Sequence, residues 1–269
     1  MKKNEKKRLF KKIYELLIEG KTLPLNFNIS SEEYKNVSNK AAKELNIKTE
    51  TLKDTRTGFK DFSEWLIDNC NCLMVAQKNK IYKIFDISSD EVRWIYTDDK
   101  SIKPKILKSN DNETTKAIRK ISKSEMSFIQ RAHYAGVFKD FSRFKTLNEP
   151  PVAFGKCYFS ETNIKVKFNS CEFEIGNVQS ELDGFFCHEN KIVSIEAKID
   201  YDGKVVKLYK QIFIPFRRLR KIFKDKEVHS LFINYNEKEE TYYLTEITYD
   251  SCDINSFRIV KKDAYKITD

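Results

Sequence analysis

Two predicted β-strands lie within residues 179–198, QSELDGFFCHENKIVSIEAK. Side chains alternate along a strand, so Glu196 and Lys198 share one face of the second strand. The opposite face is wholly apolar and consists of Val193, Ile195, Ala197 and Ile199. A continuous apolar face of this kind is buried in a folded protein. We therefore expect Glu196 and Lys198 to project together away from the core.

The turn between these strands sets which residues face each other. If Glu189 and Asn190 form a two-residue turn, His188 pairs with Lys191, and each pair of residue numbers sums to 379. This register places Asp183 opposite Glu196. Like charges at opposed positions are destabilising, because their Cβ atoms lie only about 4.5 to 5.5 Å apart. A compensating cation is therefore expected beside the two carboxylates.

A magnesium ion suits this pair, since Mg²⁺ prefers oxygen ligands and is commonly held by one or two carboxylates and a substrate phosphate. Glu181, on the same strand face as Asp183, is a candidate direct or water-mediated ligand. Lys198 lies where an ammonium could hold or deprotonate an attacking water. These groups predict metal-assisted hydrolysis of a phosphodiester. The alternative is a surface hairpin whose acidic residues and lysine are solvated or form a cross-strand salt bridge.

The spacing of these residues resembles that of the PD-(D/E)XK nuclease superfamily. Asp183 is separated by twelve residues from Glu196-Ala197-Lys198, and the segment QSELDG at 179–184 is similar to forms found in type II restriction endonucleases. The segment QIFIPFR at 211–217 resembles the Q-x-x-x-P-aromatic-R segment that follows the catalytic lysine in a subgroup of these enzymes. The similarity covers about residues 124–250. It departs from the superfamily pattern at Leu182, where a proline would stand.

The resemblance implies a restriction-endonuclease-like core, a Mg²⁺ cofactor and two sets of site residues. The metal ligands are Asp183, Glu196 and Ala197. The catalytic residues are Asp183, Glu181, Glu196, Gln211 and the catalytic lysine, Lys198. In addition, Glu125 corresponds to an acidic residue that is often found on an early helix of that fold.

The order of predicted elements indicates an α/β (α+β) fold with a mixed central sheet flanked by helices. The segments are a helical stretch at 124–144, short strands between 164 and 199, a helix at 204–224, and strands at 228–235 and 241–248. Residues 97–116 are polar, contain one proline and are predicted to be a linker. We therefore expect an N-terminal region at 1–110 and a catalytic domain at 111–269.

The N-terminal region resembles a winged helix-turn-helix. A helix capped by Ser38 is followed by a second helix behind Thr49, residues 49–56. Apolar runs at 73–76 and 81–85 flank a polar turn and predict a hairpin. In a winged module the second helix would enter the major groove and the hairpin would form the wing. The alternative is that these helices and the hairpin only pack together.

Basic and polar side chains define the predicted DNA-binding surface. In the N-terminal region they are Lys48, Thr51, Lys53, Arg56, Lys78 and Lys80. On the helix at 204–224 they are Lys207, Lys210, Arg217 and Arg218. The second group would contact backbone phosphates, which position a duplex without reading its sequence, or it would form a solvated face.

Composition limits the classes of function. The 269 residues are 40% hydrophobic, which is too apolar for a disordered chain. Their net charge of +10 suits a polyanionic partner and equally suits a solvated, lysine-rich surface. No apolar run approaches the roughly 18 residues that span a bilayer, and acidic residues interrupt the N-terminal apolar segment. We expect a cytoplasmic protein that is not membrane-associated. The absence of a Gly-rich phosphate loop argues against a nucleotide cofactor.

These observations favour one function over two alternatives. The preferred function is a Mg²⁺-dependent type II restriction endonuclease that cuts double-stranded DNA at a short specific site. Cutting both strands of a palindromic site requires two active sites, so a homodimer is expected. A DNA repair or junction-resolving nuclease of the same fold is the alternative among enzymes. A non-catalytic winged-helix DNA-binding regulator is the alternative from another class.

Overall fold

The protein divides into two compact units. The computed structural model describes residues 3–47, 55–77, 80–86, 101–108, 113, 116–118, 123–141, 157–161, 164–168, 171–175, 178–188, 190–201, 209–251 and 253–268. The first unit comprises Met1–Arg93 and Glu161–Asn177. The second comprises Trp94–Ser160 and Val178–Asp269. A segment from the second half of the chain therefore folds with the N-terminal unit.

The helices and strands are labelled in chain order. The helices are α1 (Lys3–Ile18), α2 (Ser31–Glu44), α3 (Thr55–Cys70), α4 (Glu125–Tyr134), α5 (Val137–Phe141) and α6 (Tyr209–Ile222). The strands are β1 (Asn26–Ser30), β2 (Cys72–Ala76), β3 (Ile81–Asp86), β4 (Lys105–Lys108), β5 (Cys157–Glu161), β6 (Ile164–Phe168), β7 (Cys171–Ile175), β8 (Val178–Leu182), β9 (Gly184–His188), β10 (Lys191–Ile199), β11 (Glu227–Asn236), β12 (Thr241–Tyr249) and β13 (Phe257–Thr268). Within the described ranges, no helix combines the length and the apolar character needed to cross a membrane.

A six-stranded mixed sheet is the framework of the second unit. Its strand order is β4-β13-β12-β11-β10-β9. The pairs β10-β11 and β13-β4 are parallel, and the other neighbouring pairs are antiparallel. Helices pack against this sheet, so the expected α+β class with a mixed sheet flanked by helices is confirmed.

Both faces of the sheet are covered. On one face, α4 and α5 pack against apolar side chains of β9 to β13, and the Phe128 ring stacks on Tyr235 with centroids 4.0 Å apart. On the other face lies α6, whose Phe213 and Phe216 contact the Tyr249 ring at centroid distances of 4.9 and 4.8 Å. The central strands β10 and β11 are therefore buried on both sides.

The first unit combines three helices with a three-stranded antiparallel sheet of order β1-β3-β2. Apolar residues from all three helices and from these strands form one core, in which Leu9, Ile13 and Phe62 have no exposed surface. Strand β2 pairs with β3, so the predicted hairpin at 73–85 is confirmed. The hairpin β6–β7 also belongs to this unit.

The predicted helix start at Ser38 is wrong. Helix α2 begins at Ser31, and its N-cap is Ser30, whose hydroxyl accepts from the Glu33 N–H while the Glu33 carboxylate accepts from the Ser30 N–H. Ser38 is 4% exposed and lies inside the helix. The reciprocal capping pair explains the earlier start, because it satisfies two backbone donors at once. The helix ends before Asn46, which has a positive φ of 54°.

Two further expectations need correction. The predicted linker at 97–116 contains β4, which pairs in parallel with β13. The first of the two strands predicted within residues 179–198 is divided between β8 and β9, which belong to different ladders. Strand β4 pairs with a segment far away along the chain, and β8 and β9 pair with strands of different sheets. Local periodicity does not reveal such pairings.

Candidate active site

Asp183 lies where the chain changes strand partners. Strand β8 pairs with β5, whereas β9 pairs with β10, and Asp183 is the residue between β8 and β9. Its backbone N–H donates to the Ile195 carbonyl at 3.2 Å. Its Oδ2 atom accepts from the backbone N–H of Ala197 at 2.8 Å. The carboxylate is thus fixed against β10 by a hydrogen bond to the residue between Glu196 and Lys198.

The pairing of β9 with β10 has the predicted register. His188 pairs with Lys191 and Gly184 with Ile195, so the residue numbers sum to 379 in each case. The ladder ends at this second pair, and Asp183, the next residue, donates its N–H to the Ile195 carbonyl and lies beside Glu196. The charge of Asp183 contributes to raising the pKa of Glu196, as expected for two neighbouring carboxyl groups.

Oxygen atoms surround the ammonium of Lys198. The Nζ atom lies 2.5 Å from Oε1 of Glu196, donates to the Ala197 carbonyl at 2.9 Å and donates to Oε1 of Glu125 at 3.2 Å. Glu125 is the first residue of α4 and follows the N-cap Ser124. The early helical acid suggested by the resemblance is therefore brought to the same place as the strand residues.

The face that carries Glu196 is buried, in contrast to the expectation that it projects away from the core. Glu196 is 4% exposed, and Ser194 on the same face is 2% exposed. The reason is the central position of β10, which has β9 and β11 on either side and α6 packed against it. Glu196 is consequently a desolvated carboxyl group.

Burial and an excess of acidic groups control protonation in this cluster. Burial raises the pKa of Glu196 to about 8, with Asp183 and Glu125 adding to the effect and Lys198 opposing it. Burial also raises the pKa of Asp183, against the hydrogen bond from Ala197 and the charge of Lys198. Burial alone would lower the pKa of Lys198, but the surrounding carboxylates outweigh it and keep that pKa above its usual value. The cluster therefore retains a carboxyl proton near neutral pH.

The oxygen atoms of the cluster fit a hard divalent cation. Asp183 and Glu196 supply carboxylates, and the Ala197 carbonyl faces the same ammonium as Glu196. Oε1 of Glu196 is buried and lies 2.5 Å from Lys198 Nζ, without an aligned hydrogen bond from a described residue. No three His, Cys, Asp or Glu side chains form a metal-binding group in the described ranges. The donor set is therefore two carboxylates and a carbonyl, which are the oxygen ligands that hard divalent cations prefer.

The other predicted catalytic residues lie on elements next to this cluster. Glu181 is half-buried on β8, and its charge contributes to raising the pKa of Asp183. Gln211 is half-buried in the first turn of α6, which packs against β8 and β10.

The predicted DNA-binding residues are described in part. Lys48, Thr51, Lys53, Lys78 and Lys207 lie outside the described residues, and only the backbone is described for Arg56 and Lys210. Lys80 is exposed and has a positive φ of 59°. Arg217 and Arg218 are half-buried on α6, and the Arg217 guanidinium lies 5.9 Å from the centroid of the Phe213 ring.

A second cluster of charged groups escaped the sequence analysis. His229 is buried, and its Nδ1 and Nε2 atoms lie 2.5 Å from Glu246 and 2.7 Å from Glu227, respectively. Lys191 Nζ lies 2.5 Å from the same oxygen of Glu246. Burial would raise the pKa of Glu246, but hydrogen bonds with His229 and Lys191 lower it to about 2. No sequence signal joins these residues, because they come from three different strands.

The fold and the cluster together define an α+β protein with a buried acidic site at the end of a central strand. The chain belongs to the family described as Domain of unknown function (DUF6997), which matches residues 73–266. The matched region begins in β2 and ends in β13, and it includes every residue of the cluster. No curated protein and no solved structure matches the chain.

Proposed function

We propose that this protein is a Mg²⁺-dependent endonuclease that hydrolyses phosphodiester bonds of double-stranded DNA. The observation that carries the proposal is the meeting of Asp183, Glu196 and Lys198 at one end of β10. Asp183 bonds to the Ala197 N–H at 2.8 Å, and the Lys198 ammonium lies 2.5 Å from Glu196. The buried carboxyl groups outnumber the Lys198 ammonium, which favours binding of a divalent metal ion. Lys198 in turn favours a reaction on an anionic substrate.

The elements around the cluster support a restriction-endonuclease-like core. The acidic residues lie at the end of an antiparallel hairpin, β9–β10, and β11 continues the sheet in parallel to β10. Helix α4 supplies Glu125, and α6 carries the QIFIPFR segment just after the strand that holds Lys198. This arrangement agrees with the resemblance found in the sequence.

Each side chain of the cluster has a separate role in the proposed reaction. Asp183, Glu196 and the Ala197 carbonyl would hold the metal ion. When bound, Mg²⁺ would stabilise charge on the phosphoryl oxygens and lower the pKa of its bound water. Lys198 would orient the attacking water or neutralise developing negative charge. Glu125 would direct the Lys198 side chain, since its carboxylate accepts from Nζ at 3.2 Å.

The first unit supports DNA binding as part of this function. Its elements run α1, β1, α2, α3, β2 and β3, and β3 lies between the other two strands of the sheet. This order is consistent with the winged helix-turn-helix suggested by the sequence. Basic residues on α6 add a group that would contact backbone phosphates near the cluster.

Within this class, a type II restriction enzyme acting as a homodimer is the preferred form. The QIFIPFR segment supports it, because it resembles a segment found in such enzymes. A repair or junction-resolving nuclease would cut only branched or damaged DNA. A DNA-binding regulator would bind duplex without cutting it.

Cleavage of unmethylated phage DNA in Mg²⁺ tests the proposal. The wild-type protein is expected to give discrete fragments, and sequencing the fragment ends would reveal the site. Asp183→Asn and Lys198→Ala should each lower the cleavage rate at least about 100-fold while leaving DNA binding in Ca²⁺ unchanged, because both groups act on the reacting phosphate.

Matched control variants remove the same charges from exposed positions of the same unit. Asp225→Asn and Lys238→Ala lie in turns on either side of β11 and should cleave like the wild type. Binding of duplex without cleavage under several divalent ions would favour the regulator. Cleavage restricted to branched DNA would favour the repair or junction-resolving nuclease.

A further inference from the structure

The end of β10 is fastened to β11 immediately beyond Lys198. The Asp200 N–H donates to the Tyr235 carbonyl at 2.9 Å, and Asp200 Oδ1 accepts from the Glu237 N–H at 2.9 Å. Asp200 has a positive φ of 47°, so the chain turns sharply at this residue. These contacts hold the point at which the chain leaves the sheet on its way to α6.

Asn234 hydrogen-bonds to this turn and lies beside Lys198. It pairs directly with Lys198 in the parallel β10–β11 ladder, so the two side chains share one face of the sheet. Its side chain has no exposed surface. Oδ1 accepts from the Tyr201 N–H at 3.0 Å, and Nδ2 donates to the Tyr201 carbonyl at 2.9 Å.

The amide of Asn234 thus takes the place of a backbone partner. A strand normally satisfies its N–H and C=O groups through its neighbour, and strands fray where that pairing stops. The Asn234 side chain extends the pairing of β10 beyond its last ladder residue, Ile199. Lys198 therefore lies one residue before a strand end that is held by hydrogen bonds, and not at a frayed end.

We propose that Asn234 is a positioning residue for Lys198, which rests on the endonuclease function proposed above. Lys198 Nζ must stay near Glu196, Ala197 and Glu125 to act on an attacking water. Its backbone has to remain in the ladder for this, because a displacement of about 1 Å can lower a rate by about 100-fold. The Asn234 amide supplies the hydrogen bonds that keep the strand end in place.

The test compares Asn234→Ala with Asn236→Ala. Asn236 lies two residues further along β11, and its Oδ1 accepts from the Glu239 N–H at 2.9 Å, in the turn that leads to β12. Both variants lose side-chain hydrogen bonds to backbone, but only the first releases the end of β10. Asn234→Ala should lower kcat about 10- to 100-fold and leave duplex binding in Ca²⁺ unchanged. Asn236→Ala should change neither kcat nor duplex binding.

A third variant, Asn234→Asp, adds a pH readout. A protonated carboxyl group can donate to the Tyr201 carbonyl and accept from the Tyr201 N–H, as the amide does, whereas an ionised one can only accept. The activity of Asn234→Asp relative to wild type should therefore fall as the pH rises from 6 to 9. The relative activity of Asn234→Ala should stay constant over the same range.

Hydrogen exchange in the metal-free protein separates this inference from the proposed function. Amides of residues 198–201 should exchange faster in Asn234→Ala than in wild type or Asn236→Ala. Unchanged exchange there, or equal kcat in the two alanine variants, overturns the positioning role. If the wild type cleaves no DNA, the proposed function fails, and the exchange result alone decides whether Asn234 holds the strand end.

Discussion

At the scale of single residues, Glu196 has the most unusual environment in the site. It is a carboxyl group that is 4% exposed, beside Asp183 and in contact with Lys198. Burial disfavours its charged form and the lysine favours it, and burial is the larger effect. Folding, the protonation of Glu196 and the proposed binding of a cation therefore depend on one another.

Replacing Glu196 by Gln should change how stability depends on pH. The pKa of Glu196 is about 8 in the folded protein against an ordinary 4.5. The folded state thus binds the extra proton between these values, and stability is lost as the pH rises through about 8. Glu196→Gln lacks this loss, so its stability relative to wild type should increase from pH 5 to pH 8.5, by about 4 kcal/mol.

Urea denaturation in EDTA at pH 5, 6.5 and 8.5 measures this difference. Asn236→Ala, which removes no titratable group, serves as the control and should follow the wild-type pH dependence. A constant difference between Glu196→Gln and wild type across the range would contradict the raised pKa.

Binding of Mg²⁺ should release a proton. A metal ligand must be deprotonated, and the cluster retains a carboxyl proton near pH 7 because the pKa of Glu196 is about 8. Calorimetric titration in buffers of different ionisation enthalpy should show about one proton released per ion at pH 7 and almost none at pH 9.5. Glu196→Gln should release none at either pH. Equal proton release at both pH values would count against Glu196 as a ligand.

At the scale of elements, helix starts and strand ends are fixed by a few side chains that replace missing backbone partners. Ser30 and Glu33 supply such partners at the start of α2. Asp183 accepts from the Ala197 N–H, and Asn234 accepts from the Tyr201 N–H just beyond β10. Each provides hydrogen bonds where the regular pattern of a helix or sheet leaves a group unpaired.

Ser30→Ala should destabilise the first unit by about 1 kcal/mol. The substitution removes the hydroxyl that accepts from the Glu33 N–H at 3.1 Å. Ser30→Asp keeps an acceptor at the N-cap and should restore most of the stability. Chemical denaturation followed by the fluorescence of Trp65, which packs against the core of this unit, reports the effect. Equal loss in both variants would show that capping by this side chain is unimportant.

At the scale of the whole molecule, the first unit is assembled from two separate parts of the chain. The hairpin β6–β7 joins it, and the Phe168 and Phe173 rings both lie 5.6 Å from the ring of Phe85 on β3. Alternate residues of β6 are buried, while Lys165 and Lys167 are exposed. The hairpin therefore packs apolar side chains against Phe85 of β3.

Phe168→Ala should loosen the first unit and leave the second unchanged. Phe168 is 1% exposed, and removal of a buried phenyl ring costs about 3 to 5 kcal/mol. Hydrogen exchange should accelerate in β2 and β3 but not in β11 and β12. Lys167→Ala, on the exposed face of the same strand, is the control and should change neither region. Acceleration confined to β11 and β12 would contradict the assignment of the hairpin to the first unit.

Local pattern gave reliable predictions where the contacts involved are themselves local. The two-residue turn fixed the register of β9 with β10, and alternation placed Val193, Ile195 and Ala197 in one core. Pairings between distant segments were not predictable in this way. The sequence predicts a linker where β4 lies, because this four-residue strand is stabilised by pairing with β13, about 160 residues further along the chain.

Alternation and turn length are properties of neighbouring residues, and they suffice to predict that Asp183, Glu196 and Lys198 share the end of β10. They do not predict that this face is buried against α6, that Glu125 reaches Lys198 from α4, or that Asn234 holds the strand end. These features depend on which elements pack against each other. Packing of that kind reflects the apolar surface of the whole unit, which no short segment encodes.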